Sequence, residues 1–409
     1  MKCRHCGANV NLPLIDLGSA PPSNAYLTKS TMSKPEKWFP LKVLVCESCW
    51  LVQAEAYSQA AELFNDEYAY FSSFSALWLA HAEQYLNAMV EQFNLNLDSH
   101  VVEVASNDGY LLQYVKKRGI SCLGIEPTAG TAAAARLKGI ETLEEFFGVG
   151  LAQKLVAEGR QADLMVANNV LAHVPDINDF VKGFALLLKP QGIATFEFPH
   201  LMQLIEQKQF DTIYHEHFSY LSFRTVNQIF RASGLSVFDV EELDTHGGSL
   251  RVFAQRADLG KHSVSKRVAE LLNQEDDAGM NNAAYYRGFQ EQANKVKNDL
   301  LAFLLEAKRQ GKAVAAYGAA AKGNTLLNYA GIRPDLLPYV VDKNPHKQGK
   351  YLPGSRIPVV AEDHLRDKRP DYVVILPWNL KDEIMEQLSY IRKWDGKFVT
   401  AVPQLDVRG

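Results

Sequence analysis

The chain has 409 residues, more than one hydrophobic core usually supports, so we expect two or three domains. Hydrophobic residues make up 47% and charged residues 22%, as in ordinary globular proteins, and the net charge is -4. This composition argues against a nucleic acid or a membrane surface as partner. No apolar run is long enough to span a membrane and the first residues lack a signal peptide, so we expect a cytoplasmic protein.

Four of the five cysteines lie within the first fifty residues, as Cys3-x-x-Cys6 and Cys46-x-x-Cys49. Each pair places two thiolates on one tight turn, which is a typical zinc knuckle. A disulfide framework is not expected without a secretion signal. Because four thiolates fill the tetrahedral coordination of zinc, we predict a structural zinc site and no catalytic role for the metal.

Short, proline-punctuated and β-prone segments fill residues 1 to about 65, and a helix is predicted from about Ala76 to Phe93. Apolar strands then alternate with amphipathic helices, which predicts a doubly wound α/β sheet. The predicted strands are Val101–Val104, Cys122–Ile125, Asp163–Ala167 and Gly192–Phe198.

A polar helical region at 263–311 leads into a second α/β unit, with strands predicted at Ala313–Tyr317, Tyr339–Val341 and Tyr372–Leu376. We therefore expect three domains: a zinc-binding domain at 1–65, a central Rossmann-like domain at 66–260 and a C-terminal Rossmann-like α/β domain at 261–409. In the last domain the helix that begins near Lys322 either holds a phosphate or only packs against the preceding domain.

A small polar turn, Ser106-Asn107-Asp108-Gly109, follows the first central strand, and Glu126 ends the next one. Such a turn lets the backbone approach a nucleoside closely, and a carboxylate at Glu126 can accept hydrogen bonds from both ribose hydroxyls. The turn alone is as typical of an ordinary strand–turn–helix connection, but Glu126 favours a ligand site. No G-x-G-x-x-G is present, which suits S-adenosylmethionine better than a dinucleotide because it has no pyrophosphate.

Two further groups of polar residues are candidates for chemistry. Asn168, Asn169 and His173 follow a central strand at its carboxyl edge, where α/β proteins bind ligands. The segment Tyr214-His215-Glu216-His217 offers a general base and its orienting partners, or metal ligands if it is extended. A solvated polar loop is the alternative, but the flanking aromatic residues favour a lined pocket.

Taken in order, these motifs closely resemble those of the nucleotide-sugar C-methyltransferases that make tetronitrose- and mycarose-type branched deoxysugars. The resemblance includes the four cysteines, Tyr-x-Tyr-x-Ser-Ser at 68–73, Glu-x-x-x-Asn-Asp-Gly at 103–109, Gly124-Ile125-Glu126-Pro127, Asn-x-x-x-His at 169–173, Tyr214-x-Glu216-His217, His246-Gly247-Gly248, Tyr317-Gly318-Ala319-Ala320-Ala321-Lys322 and Pro353-Gly354-Ser355-x-Ile357-Pro358. It covers nearly the whole chain.

The resemblance implies S-adenosylmethionine-dependent methyl transfer to C3, or in some relatives C5, of a nucleotide-linked 4-keto deoxysugar. The active-site residues that it implies are Tyr68, His173, Tyr214, Glu216 and His217, and His215 stands where some relatives have an acidic residue. The expected cofactor-binding residues are Tyr70, Ser73, Glu103, Ser106, Asn107, Asp108, Gly109, Glu126, Pro127, Asn168 and Asn169.

The chemistry accounts for these residue types. A carbon next to a ketone must lose a proton before it attacks the methyl, and a base that titrates near neutrality suits this task, so His217 is the predicted base. Tyr68, His173 and Tyr214 are expected to stabilise the enolate by donating hydrogen bonds. Two alternatives remain: an O- or N-methyltransferase of a small acceptor, and a non-catalytic nucleotide- or zinc-binding relative, which would have no use for this set of residues.

Overall fold

A computed structural model describes residues 1–57 and 71–409, and these ranges contain three β-sheets with helices around them. Tyr68 and Tyr70 lie outside the described residues. The architecture is the predicted α/β fold with an N-terminal four-cysteine region and a further mixed sheet toward the C-terminus. None of the described helices is both long and apolar enough to cross a bilayer.

The N-terminal region contributes three antiparallel strands: β1 (Leu12–Ala20), β2 (Phe39–Val45) and β3 (Val52–Ala54). Strand β2 lies between the other two. The first cysteine pair precedes β1, and the second lies in the turn between β2 and β3. The hairpin that closes this small sheet is therefore also the second zinc knuckle.

The central region alternates strands with helices, as predicted. Its strands are β4 (His100–Val104), β5 (Ser121–Ile125), β6 (Thr142–Leu143), β7 (Ala162–Asn168), β8 (Leu188–Pro199), β9 (Ser219–Tyr220), β10 (Leu235–Leu243) and β11 (Ser249–Arg256). Its helices are α1 (Ala76–Gln92), α2 (Leu112–Lys117), α3 (Ala129–Leu137), α4 (Val149–Ala157), α5 (Ile177–Leu187), α6 (Leu201–Glu206) and α7 (Phe223–Ala232). All of these strands except β9 form one sheet in the order β10-β11-β8-β7-β4-β5-β6.

Strands β4 to β8 of this sheet run parallel, and β10 and β11 extend it antiparallel. The parallel strands are buried on both faces, which explains why they are continuous apolar runs in the sequence. Their carboxyl ends meet at one edge, so the loops after β4, β5 and β7 lie together there. This edge carries the predicted cofactor residues of those three loops.

Strand β9 belongs to a different sheet. It pairs antiparallel with β3, with Gln53 opposite Ser219 and Val52 opposite Tyr220. The segment 200–222 therefore leaves the central sheet and joins the N-terminal one, and the segment that contains His217 lies between the two. The domain limits expected at 65 and 260 stay predictions.

The C-terminal region forms the third sheet. Its strands are β12 (Val314–Tyr317), β13 (Val340–Val341), β14 (Val359–Val360), β15 (Tyr372–Ile375), β16 (Lys397–Thr400) and β17 (Asp406–Arg408), in the order β14-β13-β12-β15-β16-β17. The helices are α8 (Lys266–Asp277), α9 (Ala283–Tyr286), α10 (Phe289–Arg309), α11 (Ala321–Tyr329), α12 (Asp363–Lys368) and α13 (Lys381–Gln387). One apolar cluster contains residues of β1, α10, α11 and β12, so the N- and C-terminal sheets share a core.

Glu275 of α8 holds the start of α7. Its fully buried carboxylate accepts hydrogen bonds from the backbone N–H groups of Phe223 (2.6 Å) and Arg224 (2.8 Å), and lies 2.7 Å from Nε2 of His200. Negative charge at a helix N-terminus also interacts favourably with the helix dipole. The carboxylate thus satisfies groups that would otherwise be buried without partners.

We expect Glu275→Ala to lower the free energy of unfolding by roughly 3 kcal/mol, because it leaves several buried polar groups unpaired. Urea unfolding followed by circular dichroism measures the change. Glu270→Ala is the matched control, since Glu270 lies on the same helix with an exposed side chain 3.7 Å from Lys266. We expect it to change stability by roughly 0.5 kcal/mol or less. Equal losses in the two variants would contradict the role of Glu275.

Candidate active site

The four N-terminal cysteines converge on one point. Their sulfur atoms all lie within 4.8 Å of one another, with Cys3 and Cys49 3.5 Å apart and Cys6 and Cys46 3.6 Å apart. Tetrahedral zinc with bonds of about 2.3 Å requires sulfur–sulfur distances of about 3.8 Å. The donor set and its spacing thus fit zinc, and four thiolates leave no coordination position for a substrate. The predicted structural zinc site is confirmed.

Both knuckles use the same backbone turn. The N–H of Gly7 donates to the carbonyl of Cys3 (3.0 Å), and the N–H of Trp50 donates to the carbonyl of Cys46 (2.8 Å). Each turn ends in the left-handed region, with φ of 74° at Gly7 and 61° at Trp50. Glycine adopts this conformation without strain, whereas Trp50 is held in it while its ring stacks on Tyr286.

The predicted small polar turn after β4 contains several residues with positive φ angles. Ala105, Asn107 and Gly109 have φ of 57°, 49° and 74°. Glu126 holds this loop: one carboxylate oxygen accepts from the N–H of Asn107 (2.9 Å), and the other accepts from the N–H (2.9 Å) and hydroxyl of Thr128. Oε1 already accepts two hydrogen bonds and Oε2 accepts one, so Oε2 has more room for another donor. The Glu126 carboxylate is therefore better suited to one ribose hydroxyl than to the two expected.

Several buried polar atoms around this loop have no partner among the described residues: Ser106 Oγ, Asp108 Oδ1 and Asn168 Oδ1. Buried polar atoms are usually hydrogen-bonded, so atoms of this kind at a sheet edge fit a polar ligand. Asn168 also donates weakly to the hydroxyl of Tyr110 at 3.4 Å.

The segment after the undescribed residues covers the same loop. The N–H of Ser72 donates to Oδ1 of Asn107 (2.9 Å), and Lys138 donates to both Ser73 Oγ (2.8 Å) and the carbonyl of Asp108 (2.7 Å). The structure thus brings Ser73, Asn107 and Asp108 together. Pro127 follows directly on Glu126.

Glu103 lies within β4, before the cofactor loop. It is 1% exposed, and its carboxyl group lies near the hydroxyl of Tyr110 without a hydrogen bond of normal geometry. Burial raises the pKa of Glu103 well above its usual range, and this favours a neutral carboxylic acid.

Three of the four predicted catalytic rings form one cluster, and the fourth, Tyr68, is outside the described residues. The His217 ring lies 3.9 Å from the Tyr214 ring and 4.6 Å from the His173 ring, measured between centroids. His173 also hydrogen-bonds the main chain of Glu216. Residues from the end of β7 and from the 200–222 segment thus meet at the carboxyl edge of the central sheet.

The tautomer of His217 follows from its hydrogen bond. Nδ1 lies 2.8 Å from the carbonyl oxygen of Thr212, so Nδ1 carries the proton and Nε2 carries the lone pair. Burial, reinforced by His173, lowers the pKa of His217 well below its ordinary value. The expectation that His217 titrates near neutrality is therefore wrong for this structure, because desolvation opposes the charged ring. The direction of this shift favours a neutral imidazole at His217.

Glu216, in contrast, has a carboxyl group that titrates near neutrality. Burial raises its pKa to about 7, although Nδ2 of Asn24 lies 2.8 and 2.9 Å from its two oxygens. Asn24 belongs to the N-terminal region, in a proline-rich loop with no motif that would have marked it. The structure thus adds Asn24 to the site.

His215 faces away from the ring cluster. Its Nε2 donates to the carbonyl of Phe39 at 3.2 Å, and its ring meets the Phe39 ring edge-on. This contact ties the segment to β2 of the N-terminal sheet. A metal site made by His215 and His217 together, which requires both side chains on one face, has no support here.

The C-terminal region adds a cation to the site. Lys322 at the start of α11 lies over the Trp378 ring at 4.6 Å and donates to Oδ1 of Asn379 at 2.7 Å. The indole N–H of Trp378 donates to the buried carboxylate of Asp211 at 2.8 Å. Burial raises the pKa of Asp211 to about 6 and lowers that of Lys322. Phosphate binding at this helix start stays a prediction.

Comparisons with known proteins agree with this geometry. Three family models match in succession: a zinc binding domain at residues 3–64, a methyltransferase domain at 78–240 and a C-methyltransferase C-terminal domain at 244–403. C-methyltransferase NovU of Streptomyces niveus is 33% identical over 98% of this chain and 96% of its own. The chain belongs to the C-methyltransferase family.

More distant proteins match over shorter stretches. Ubiquinone biosynthesis O-methyltransferase of Serratia proteamaculans is 26% identical over 36% of this chain and 65% of its own. The crystal structure of magnesium protoporphyrin IX methyltransferase from Synechocystis PCC 6803 superimposes with a TM-score of 0.34 and 15% identity, over 44% of this chain and 79% of that one.

In this C-methyltransferase, a second group of residues lies beside the candidate site, and all of them except His246 had no sequence signal. Glu197 at the end of β8 accepts hydrogen bonds from Arg251 (2.6 Å) and contacts Nε2 of His81 (2.8 Å). His81 stacks on Trp78 at 4.9 Å, and Trp78 lies 5.4 Å from His246. These residues form a wall beside Asn169, whose side chain lies 3.3 Å from His246. Only His246 belonged to a recognised motif.

The raised pKa of Glu216 predicts a stability change with pH. In the unfolded chain a glutamate ionises at about pH 4.3, whereas in the fold Glu216 keeps its proton to about pH 7. The wild type therefore loses stability as the pH rises through this window, and Glu216→Gln removes that loss. Relative to wild type, we expect the variant to gain about 2 kcal/mol between pH 5 and pH 8, measured by urea unfolding.

The control for this measurement is Glu91→Gln, at an exposed position of α1. Its stability difference from wild type should stay constant with pH. A Glu216→Gln curve that runs parallel to the wild-type curve would show that Glu216 is ionised in the fold at pH 5.

Proposed function

We propose that this C-methyltransferase transfers a methyl group from S-adenosylmethionine to a carbon, C3 above all, of a nucleotide-linked 4-keto deoxysugar. The observation that carries the proposal is a partly buried, neutral His217 with Nε2 as proton acceptor, beside Tyr214 and His173, at the edge that also holds the cofactor loop. The family membership and the match to NovU over nearly the whole chain support it.

The cofactor residues act by binding and orientation. When bound, S-adenosylmethionine supplies a methyl group made electrophilic by its sulfonium. Glu126 is proposed to accept a ribose hydroxyl at Oε2, and the buried atoms of Ser106, Asp108 and Asn168 without partners supply further polar contacts. Tyr70, Asn169 and the remaining loop residues complete the proposed binding site.

His217 is proposed as the base. Its Nε2 takes the proton from the carbon next to the sugar ketone, and the electron pair left on that carbon delocalises to the ketone oxygen as an enolate. The protonated ring keeps its Nδ1–H bond to the Thr212 carbonyl, which holds it in place. Because the site is desolvated, the enolate charge strongly stabilises the nearby imidazolium and offsets the low pKa of the free histidine.

The other residues position the sugar and stabilise the enolate. Tyr214 and His173 lie against His217 and are proposed, with Tyr68, to donate hydrogen bonds to the enolate oxygen. Glu216, held by Asn24, is proposed to bind a sugar hydroxyl. With S-adenosylmethionine held by the cofactor loop, the carbanion carbon would bond to the methyl carbon while the methyl–sulfur bond breaks and its electron pair stays on sulfur.

Incubation with S-adenosylmethionine and a panel of nucleotide-linked 4-keto deoxysugars tests the function. Mass spectrometry should show the gain of one CH₂ in a matching substrate, and NMR should place the new methyl on carbon. A methyl found on oxygen or nitrogen would establish the alternative class of methyltransferase. Binding of the nucleotide-sugars without any transfer would indicate a non-catalytic relative.

The role of His217 has its own prediction. His217→Asn should bind both ligands yet lose methyl transfer by roughly a hundredfold or more, because asparagine cannot take the proton. The variant should also lose exchange of the acidic sugar hydrogen with deuterium, followed by NMR. His262→Asn is the control, since that imidazole is exposed and stacks on Phe238 away from the site. If His217→Asn turns over normally and His173→Asn is inactive, His173 is the base.

A further inference from the structure

Arg4 lies in the first knuckle, between the zinc ligands Cys3 and Cys6, and its side chain reaches the predicted catalytic segment. Nη1 donates to the carbonyl of Phe218 at 3.1 Å, and Nη2 donates to the carbonyl of Ala54 at 2.8 Å. The guanidinium also lies 5.4 Å from the centre of the Phe218 ring. A residue of the zinc knuckle thus contacts the residue directly after His217.

Phe218 connects two regions through its main chain. Its N–H donates to the carbonyl of Ala172 (2.8 Å), and its carbonyl accepts from the N–H of Ala54 (3.1 Å) as well as from Arg4. Ala172 immediately precedes His173. The hydrogen bonds of this one residue therefore help to set the distance between the His173 and His217 rings, which is 4.6 Å.

The knuckle in turn fixes Arg4. The N–H of Arg4 donates to Oε1 of Gln53 (3.0 Å), and Nε2 of the fully buried Gln53 donates to Sγ of Cys3 (3.3 Å). On the other side, Asn178 of α5 donates to the carbonyl of His5 at 2.9 Å. Four thiolates this close repel one another strongly unless a cation lies between them, so the turn that carries Arg4 depends on the metal.

We propose that Arg4 is a positioning residue, through which zinc binding in the knuckle sets the placement of His217 against His173. Zinc then acts on catalysis as well as on folding, although it lies in a closed thiolate site. The proposal rests on the proposed function of His217, but the order of the Phe218 main chain can be measured without turnover. A measurement of main-chain order therefore tests the role of Arg4 independently of the role of His217.

The test compares Arg4→Met with wild type. Methionine retains much of the apolar stem and removes every hydrogen-bond donor. We expect one equivalent of zinc by elemental analysis and unchanged S-adenosylmethionine binding by calorimetry. Hydrogen–deuterium exchange should be roughly tenfold faster or more in peptides that cover 217–221, because a bond to the Phe218 carbonyl is lost. The kcat should fall by roughly tenfold to a hundredfold with little change in KM.

Two further variants make the result specific. Arg4→Lys keeps a cationic donor and should recover part of both the exchange protection and kcat. Lys2→Met removes an exposed cation next to the same zinc ligand and should match wild type in every measurement. Chelation of zinc from the wild type should increase exchange at 217–221 as Arg4→Met does. Re-addition of zinc should restore protection in the wild type but not in Arg4→Met.

The outcomes distinguish the proposals. Unchanged exchange at 217–221 in Arg4→Met overturns the role of Arg4, whatever the activity. Loss of zinc in both Arg4→Met and Arg4→Lys also overturns it, because Arg4 would then serve the metal site itself. Faster exchange with a normal kcat also overturns it, because Arg4 then orders the segment without positioning a catalytic group, whereas failure of the proposed function of His217 shows separately as normal turnover in His217→Asn.

Discussion

The hydrogen bonds of the Phe218 main chain are the constraint on which the rest of the site depends. The N–H points to the central sheet and the carbonyl to the N-terminal sheet, so one residue joins the two. The segment around His217 has almost no regular structure of its own: a 3₁₀ turn ends at Thr212, and β9 begins at Ser219. Its conformation is therefore imposed by its neighbours, as is common for functional loops on rigid scaffolds.

The three sheets have separate tasks in this arrangement. The central sheet provides the carboxyl edge and the cofactor loop, while the N-terminal sheet holds the 200–222 segment through β9 and contributes Asn24. The C-terminal sheet shares a core with the N-terminal one and brings Lys322 and Trp378 to the same place. A site assembled from all three regions requires their relative positions to be maintained. The zinc domain therefore affects the proposed reaction through the positions of the site residues, although its metal contacts no substrate.

Desolvation dominates the electrostatics of the site. Burial lowers the pKa of His173 and of His246 to about 4 and raises that of Glu216 to about 7. All of these shifts favour neutral side chains, because a charge is costly where water is excluded. Exclusion of water also lowers the local dielectric constant, which strengthens the interaction of these side chains with the charge that develops during the reaction. The cluster of His173, Glu216 and His217 therefore carries little charge of its own and responds strongly to the charge of its ligands.

Much of the framework was determined by local sequence pattern. The zinc knuckles, the apolar strands of the central sheet and the turn after β4 follow from spacing and periodicity, because thiolate pairs, doubly buried strands and tight turns each constrain adjacent residues. The grouping of Tyr214, Glu216 and His217 was visible for the same reason. Their assignment to a methyltransferase came from the order of motifs along the chain.

What only the tertiary structure decided are the partners and the pKa values. The site is contacted by four residues from distant parts of the chain: Asn24, Glu197, Arg251 and Trp378. Hydrogen bonds between residues so far apart in sequence cannot be predicted from local sequence patterns. The titration of His217 was predicted wrongly near neutrality because a pKa depends on how much water the fold removes around the ring. Residue type is local, whereas burial is a property of the whole packed structure.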